Sequence, residues 1–340
     1  MSWSWSPGQL DRLGCYLDER GVCGPKVTAH AVGDGHSNLT YVVSDGERQV
    51  VVRRPPTPPF PVGAHDVLRE ARLIAALAGT GVPVPAVLAI ADAGTIIDVP
   101  LVVTEFVDGV VITTTAPKPF DRPAARRDIA ERAVDTLADL HTVDWKAHGL
   151  NDFGRPAGFN ARHLRRVCAL VTGTRDRMPE PFVSLARWLE RNVPVESGAT
   201  IVHNDYRLGN LMYAREPPVR IAAVLDWELA TLGDPLFDLG YFLSSIPEAD
   251  EPGTAITRMA TVALQEGFPT RAELLDRYCA RTGTTTARTQ WYAVLAQFKL
   301  AALYDYGRRR AEESGGDSYF AEAELVSEFL GAGEALTKSR

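Results

Sequence analysis

The chain has 340 residues, 45% of them hydrophobic and 23% charged, with a net charge of −7, which is the composition of a globular protein. The negative charge argues against nonspecific nucleic-acid binding, and no apolar run is long enough to span a bilayer. The first residues lack the basic and apolar regions of a signal peptide, so we expect a cytoplasmic protein. The cysteines and histidines are scattered along the sequence, so we expect reduced thiols and no zinc site.

The first third of the sequence predicts a small β-rich lobe. In chain order, the predicted elements are a helix over 9–17, strands over 27–32, 38–43 and 49–53, a helix over 66–77, and strands over 87–90 and 100–106. The turn Ser44-Asp45-Gly46 separates two β-type runs, which is typical of a hairpin.

A glycine-containing loop follows the first predicted strand. It carries Gly33, Gly35, Ser37 and Asn38. Glycine lets backbone N–H groups approach phosphate oxygens because no Cβ stands in the way. We expect this loop to bind nucleotide phosphates, although Gly-Asp-Gly is also a common turn.

A phosphate-binding loop needs a fixed positive charge on a neighbouring strand. Lys26 precedes the loop and is poorly placed, whereas Arg53 ends a β run. Arginine can bind phosphate in a bidentate manner. We predict that Arg53 binds phosphate and that Glu70, on the following helix, orients it; the alternative for Glu70 is a solvated helix residue.

The segment Thr104–Val107 leaves the small lobe in an extended form. Extended backbone exposes alternate C=O and N–H groups, which can pair with the edge of an adenine. An ordinary strand end is the alternative.

Beyond Asp108-Gly109 the sequence becomes mainly helical. Predicted helices cover 128–141, 162–170, 182–191, 255–265 and 287–308. Two strand-like runs, 199–202 and 219–225, lie between them, and each leads towards an acidic residue.

Those acidic residues belong to the most informative motifs of the chain. Segment 203–210 reads HNDYRLGN, with Asp205 and Asn210, and segment 224–228 reads VLDWE, with Asp226. Phosphoryl transfer from ATP requires one carboxylate that accepts the acceptor hydroxyl proton, and an amide oxygen and a second carboxylate that hold Mg²⁺. Either motif alone could cap a turn, but the two in this order favour a kinase.

The motifs resemble those of the aminoglycoside phosphotransferase/choline kinase family, whose fold is similar to that of protein kinases. The similarity runs from about Val27 to the C-terminal helices. Within the family, the chain most resembles the kinase-like domain joined to some acyl-CoA dehydrogenases, through segments 37–41 (SNLTY), 53–56 (RRPP) and 225–235 (LDWELATLGDP).

This resemblance implies an α+β, protein-kinase-like two-lobed fold, with a β-rich nucleotide-binding lobe over 1–107 and a helical lobe over 108–340. It also implies roles for single residues. Asp205 would be the catalytic base, Arg207 would stabilise charge near the transferred phosphate, Asn210 and Asp226 would bind Mg²⁺, Glu228 would reach a second metal, and Glu105 and Val107 would offer backbone groups to adenine.

The chain also departs from the protein-kinase pattern. The loop lacks a third glycine, Arg53 replaces the strand lysine, and Trp227-Glu228 replaces the Phe-Gly that follows the metal-binding Asp. We therefore expect ATP and Mg²⁺ as cofactors and a small-molecule hydroxyl as substrate, with no nucleic-acid or membrane partner. A noncatalytic nucleotide-binding protein is the alternative.

The acceptor is expected to be anionic, in the manner of a hydroxyacyl-CoA, rather than a polycationic aminoglycoside. Basic residues cluster at two predicted helices: Arg162, His163, Arg165 and Arg166 share one, and the arginines at 308–310 end another. Arginine suits phosphate or carboxylate. The alternatives are an aminoglycoside acceptor and arginines that only solvate the surface.

Overall fold

The structure, a computed structural model, describes residues 4–32, 38–56, 65–173, 175–285, 289–314 and 322–338. The chain divides into two compact units. Unit 1 comprises Met1–Gly109 and Ala222–Glu228, and unit 2 comprises Val110–Ile221 and Leu229–Arg340. Gly33, Gly35 and Ser37, predicted to bind phosphate, lie outside the described residues.

Unit 1 is built on a five-stranded antiparallel sheet with the strand order β1-β2-β3-β5-β4. Its elements are α1 (Pro7–Asp18), β1 (Thr28–Val32), β2 (Leu39–Ser44), β3 (Gln49–Arg54), α2 (Val67–Leu77), β4 (Val87–Ala91) and β5 (Leu101–Glu105). Ser44 pairs with Gln49 across the β2–β3 turn, so the predicted hairpin is confirmed.

Two helices of unit 1 pack on this sheet. Strand β2 alternates between buried and half-buried residues, so that one of its faces joins a core that also holds Leu13 and Leu17 of α1. Helix α2 begins at the N-cap Asp66, whose side chain accepts the Arg69 N–H. Its buried face includes Glu70 as well as apolar residues, which brings a carboxylate into the unit.

Unit 2 is mainly helical. Its elements are β6 (Val110–Val111), α3 (Pro123–Thr142), α4 (Phe159–Thr172), α5 (Glu180–Arg191), β7 (Thr200–Val202), β8 (Leu211–Tyr213), β9 (Ile221–Val224, which runs on into unit 1), β10 (Thr231–Gly233), α6 (Pro235–Ser245), α7 (Ala255–Arg258), α8 (Arg271–Thr282), α9 (Thr289–Ser314) and α10 (Ala323–Lys338). Strands β7 and β10 pair in antiparallel fashion, and β6, β8 and the start of β9 form a second small sheet. Among the helices of the described ranges, none has the length and apolar character needed to cross a membrane.

Helix α3 fixes the loop that joins β7 to β8. The hydroxyl of Tyr206 donates to the Ala133 carbonyl at 2.7 Å, and the hydroxyl of Tyr213 donates to the Ile129 carbonyl at 3.1 Å. Both tyrosines are fully buried. A buried hydroxyl that lost its partner would cost about 1–3 kcal/mol, so these bonds hold the loop against α3.

Three differences from the predicted helices stand out. The helix predicted over 255–265 is wrong, because α7 ends at Arg258 and only a 3₁₀ turn covers Thr261–Leu264. Here the Val262 N–H donates to the Thr113 carbonyl, a tertiary bond that replaces a helical one. Helices α8 and α10 were not predicted, although α8 has a capping box at Thr270 and a left-handed Gly283 at its C-cap.

Candidate active site

Asp238 braces the loop that follows β7 in unit 2. It lies on α6, is completely buried, and accepts the backbone N–H groups of His203 at 2.5 Å and Asn204 at 2.8 Å. Burial alone would raise the pKa of Asp238, but hydrogen bonds and charge from His141 and His203 bring that pKa below its usual value. An ionised Asp238 therefore fixes the backbone immediately before Asp205.

Asn204 adopts a left-handed conformation with φ of 68°. Outside glycine this region is uncommon, although asparagine tolerates it best. Its side-chain amide donates to the Leu229 carbonyl at 2.7 Å, and its own carbonyl accepts a hydrogen bond from the Lys299 ammonium. Lys299 is buried on α9, and this burial lowers its pKa, against the charges of Asp205 and Asp238. These contacts hold Asn204 in its left-handed conformation, which sets the direction of the backbone at Asp205.

The Asp205 carboxylate is oriented on both oxygens. The Tyr241 hydroxyl donates to Oδ1 at 2.6 Å, and Nδ2 of Asn210 donates to Oδ2 at 2.8 Å. Nε of Arg207 lies 3.5 Å from the same Oδ2. Burial, and then the charge of Asp205, raise the pKa of Tyr241 well above its usual value, so its hydroxyl stays protonated as a donor. The result is a fixed carboxylate that remains partly accessible.

Asn210 uses only its amide nitrogen for these bonds. Nδ2 donates to the Asp205 backbone carbonyl as well as to its carboxylate, each at 2.8 Å. Among the described residues nothing donates to its Oδ1. An amide oxygen of this kind is a suitable Mg²⁺ ligand.

A second cluster of predicted site residues lies in unit 1, around Arg53. The guanidinium is 3.1 Å from Glu70, 3.3 Å from Asp226 and 3.9 Å from Glu228. Glu70 is only 4% exposed, so the alternative of a solvated helix residue is wrong. Burial raises the pKa of Glu70 to about 7, opposed by Arg53 and reinforced by the other two carboxylates. Three acidic side chains thus surround the single guanidinium group of Arg53.

This cluster suits a hard divalent cation. The side chains of Asp226 and Glu228 are 40% and 22% exposed. Oδ1 of Asn38 and Oε2 of Glu70 are buried and have no hydrogen-bond partner among the described residues. In the described ranges, no three His, Cys, Asp or Glu residues converge as a ready metal cage. Mg²⁺ is usually bound by only one or two carboxylates, with water and substrate phosphates completing its shell, so these oxygen donors fit it.

The other predicted nucleotide-binding residues within the described ranges are Asn38, Glu105 and Val107. Nδ2 of Asn38 donates to Glu228 at 3.4 Å. Glu105 ends β5, and its N–H donates to the Ala86 carbonyl, so this N–H already has a partner. Val107 follows the strand and is half-buried.

The roles of Tyr241 and Lys299 in the site were not predicted from the sequence. Tyr241 lies three positions after Asp238, and helical spacing could have placed both on one face of α6. Lys299 is 95 positions from Asn204 in the sequence, and no local pattern joins them.

The basic residues proposed for an anionic acceptor divide into two groups. His163 packs between the rings of Phe159 and Phe237, with centroids 5.4 and 4.4 Å away, so the expectation that it faces an anion is wrong. Arg308 and Arg309 both form ion pairs with the buried Asp305, so their charges are already compensated within the protein. Arg162, Arg165 and Arg166 have no ion pair with any described residue.

His163 offers a stability prediction. It keeps some exposed surface, but both ring nitrogens are buried and have no hydrogen-bond partner in the described part of the chain. Burial, followed by the charges of Lys299 and Arg166, lowers the pKa of His163 well below its usual value. Below about pH 6.5 the unfolded chain binds a proton that the folded chain does not, so unfolding becomes easier as the pH falls. His163→Phe should stabilise the protein by about 1 kcal/mol at neutral pH, and by more at pH 5.5.

Urea unfolding at pH 7.5 and pH 5.5 measures this difference. The surface residue His148 provides the control, as His148→Phe, for the loss of one histidine. A gain for His163→Phe that shrinks on acidification would show that the folded protein protonates His163.

Comparisons with known proteins show the family to which this chain belongs. A sequence profile described as the phosphotransferase enzyme family matches residues 28–292. The chain belongs to this family. The predicted resemblance and the α+β, protein-kinase-like fold class are both confirmed. Family membership places the chain among small-molecule phosphotransferases.

The relatives of this family member include parts of larger proteins. Acyl-CoA dehydrogenase family member 10 of Mus musculus is 31% identical over 280 residues, which cover 79% of this chain and 25% of the relative. Acyl-CoA dehydrogenase family member 11 of Rattus norvegicus is 30% identical over 309 residues, which cover 89% of this chain and 39% of the relative. The chain thus spans well under half the length of these curated relatives.

Solved structures cover nearly the whole chain. A candidate aminoglycoside phosphotransferase from Ralstonia eutropha JMP134 is 30% identical, with a TM-score of 0.81, covering 97% of this chain and 98% of its own. A thermostable mutant of aminoglycoside phosphotransferase APH(4)-Ia, in a complex with AMP-PNP and hygromycin B, is 14% identical with a TM-score of 0.59, covering 96% of this chain and 97% of its own. The second similarity shows the fold alone.

Proposed function

We propose that this family member is an ATP- and Mg²⁺-dependent phosphotransferase that moves the γ-phosphate to a hydroxyl group of a small molecule. The observation that supports this best is the orientation of Asp205. Its carboxylate receives hydrogen bonds from Tyr241 and Asn210 and is still 21% exposed. A fixed, accessible carboxylate is what a general base for a hydroxyl requires.

In this proposal Asp205 accepts the hydroxyl proton while Tyr241 holds the carboxylate in place. Arg207 stabilises negative charge near the transferred phosphate. Asn210, Asp226 and Glu228 would hold Mg²⁺, which when bound offsets the charge of the phosphates.

Nucleotide binding is assigned to residues of unit 1. Arg53, positioned by Glu70, binds phosphate oxygens, and Asn38 belongs to the same phosphate-binding group as Gly33, Gly35 and Ser37. The backbone groups of Glu105 and Val107 pair with adenine, although the Glu105 N–H already has the Ala86 carbonyl as a partner.

The acceptor is proposed to be an anionic hydroxylated metabolite such as a hydroxyacyl-CoA. An aminoglycoside carries several ammonium groups and needs unpaired carboxylates. In unit 2, however, Glu251 is paired with Arg271 at 2.6 Å, and Glu312 is paired with Arg308. The names of the relatives, acyl-CoA dehydrogenase family members, also associate this type of chain with acyl-CoA chemistry.

Two other functions remain as alternatives. The similarity to a candidate aminoglycoside phosphotransferase favours an aminoglycoside acceptor. A noncatalytic nucleotide-binding protein is the other alternative, but the presence of Asp205, Asn210 and Asp226 argues against it.

An acceptor screen tests the proposal. The protein is incubated with ATP, Mg²⁺ and panels of hydroxyacyl-CoAs and aminoglycosides, and mass spectrometry detects the gain of one phosphate. We expect the gain on an acyl-CoA bearing a hydroxyl and none on the same compound without it. Efficient phosphorylation of kanamycin with no product from acyl-CoA acceptors would contradict the proposed acceptor, and nucleotide binding without any product would favour the noncatalytic alternative.

A further inference from the structure

Unit 2 contains a pocket of about 480 Å³ whose wall is rich in arginine. The residues that define this arginine pocket are Arg155, Arg162, Arg165 and Arg166, together with Thr231 and Leu232 of β10. Its volume is within the range of small-molecule sites, roughly 300–1,000 Å³.

Within the described ranges, no ion pair compensates the positive charge of the arginine pocket. Among the described residues, no carboxylate forms an ion pair with any of the four arginines. Arg162 donates to the backbone carbonyls of Ala157 and Arg155, which leaves its charge in place. By contrast, Arg175, which follows the C-terminal end of α4, pairs with Asp305 at 2.9 Å. The arginines of the pocket therefore differ from Arg175 of the same unit, whose charge is compensated by a carboxylate.

Two of these guanidinium groups also affect one another. The pKa of Arg166 is lowered, first by its partial burial and then by the charge of Arg162. Arginine remains charged despite this lowering of its pKa, so Arg162 and Arg166 repel each other. A bound anion would relieve that repulsion.

The arginine pocket borders β10, which pairs with β7 in unit 2. A Cβ added to Gly154 would lie 2.6 Å from Oγ1 of Thr231 and 2.7 Å from the Leu232 nitrogen, so the segment before Arg155 packs directly on β10. Thr231 pairs with Val202 at the end of β7, and the loop carrying Asp205 follows. A ligand in the arginine pocket would therefore lie beside the sheet that leads to the proposed base.

We propose that the arginine pocket binds a small molecule carrying two phosphate groups and thereby anchors the phosphate-bearing end of the acceptor. A phosphate monoester carries about −1.5 to −2 charges at pH 7, so two phosphate groups match four guanidinium groups. Planar guanidinium groups bind phosphate oxygens in a bidentate manner. The role as an acceptor anchor rests on the proposed function, whereas binding of the phosphates does not.

Isothermal titration with inorganic pyrophosphate and with adenosine 3′,5′-bisphosphate tests the site without turnover. The variants are Arg165→Glu, Arg166→Glu and Arg166→Gln, with the exposed Arg187→Glu on α5 as the matched control for net charge. Each Glu variant should weaken binding of both probes by 10-fold or more, and Arg166→Gln by less. Arg187→Glu should change it less than 2-fold. The thermal midpoint of Arg166→Glu should not fall, because the substitution relieves repulsion with Arg162.

A fourth variant, Arg53→Met, separates this site from the proposed nucleotide site. Binding that persists in Arg53→Met and is lost in Arg166→Glu supports the arginine pocket. Binding that is lost in Arg53→Met and kept in Arg166→Glu, or an equal loss in Arg187→Glu, overturns it. If the acceptor screen gives no product while these binding results hold, the proposed function fails and the phosphate site stands.

Discussion

Asp205→Asn is expected to reduce turnover by roughly 10²–10⁴-fold, the usual contribution of a positioned general base. Asparagine preserves the shape of the side chain but cannot accept the hydroxyl proton. The Tyr241 hydroxyl keeps an oxygen acceptor, whereas the bond from Asn210 is lost because an amide nitrogen does not accept it. One hydrogen bond is worth about 1 kcal/mol, so the fold should remain intact.

Turnover and nucleotide affinity must be measured on the same preparation of the Asp205→Asn variant. A nucleotide Kd close to that of the parent, with turnover reduced as above, would separate lost chemistry from lost binding. Tyr241→Phe, which removes only the orienting hydroxyl, should reduce turnover by a smaller factor. Near-normal turnover in Asp205→Asn would contradict its assignment as the base.

Asp226→Ala should abolish Mg²⁺-supported ATP binding, whereas Glu228→Ala should weaken it less. A carboxylate that binds the metal directly offsets phosphate charge, and Asp226 is both the more exposed and the closer of the two to Arg53. Asp226 also has a left-handed φ of 65°, a conformation that alanine adopts less readily than aspartate.

A Mg²⁺ titration of ATP binding distinguishes these two variants. Asp226→Asn is the control for backbone conformation, because asparagine tolerates the left-handed region while lacking the charge. It should behave like Asp226→Ala in metal dependence and like the parent in thermal stability. Equal losses in Asp226→Ala and Glu228→Ala would mean that the ranking of the two acidic residues is wrong.

The parts of the fold and site that could be predicted are those encoded locally. Asp205 and Asn210 share one loop, and hairpin β2–β3 is specified by its own turn. The inward orientation of His163 could also have been found, because helical spacing puts it beside Leu164 and Val167 on the buried face of α4.

Other features depend on contacts between distant parts of the chain. Lys299 reaches Asn204 only because α9 passes beneath the loop, and the sequence around Lys299 gives no sign of this. The end of α7 is likewise decided by the bond from Val262 to Thr113, not by local propensity. Periodicity describes which face of an element is buried, but it does not identify the partner on the other side.

The return of segment Ala222–Glu228 to unit 1 has a consequence for how this protein can be divided or recombined. A fragment ending at Gly109 would keep Arg53 and Glu70 but would leave Asp226 and Glu228 behind. The Pro83 carbonyl, which accepts the Val224 N–H at 2.8 Å, would lose its partner as well. Exchange of the N-terminal gene segment between two homologues would therefore produce a hybrid acidic cluster, with its arginine inherited from one parent and two of its carboxylates from the other.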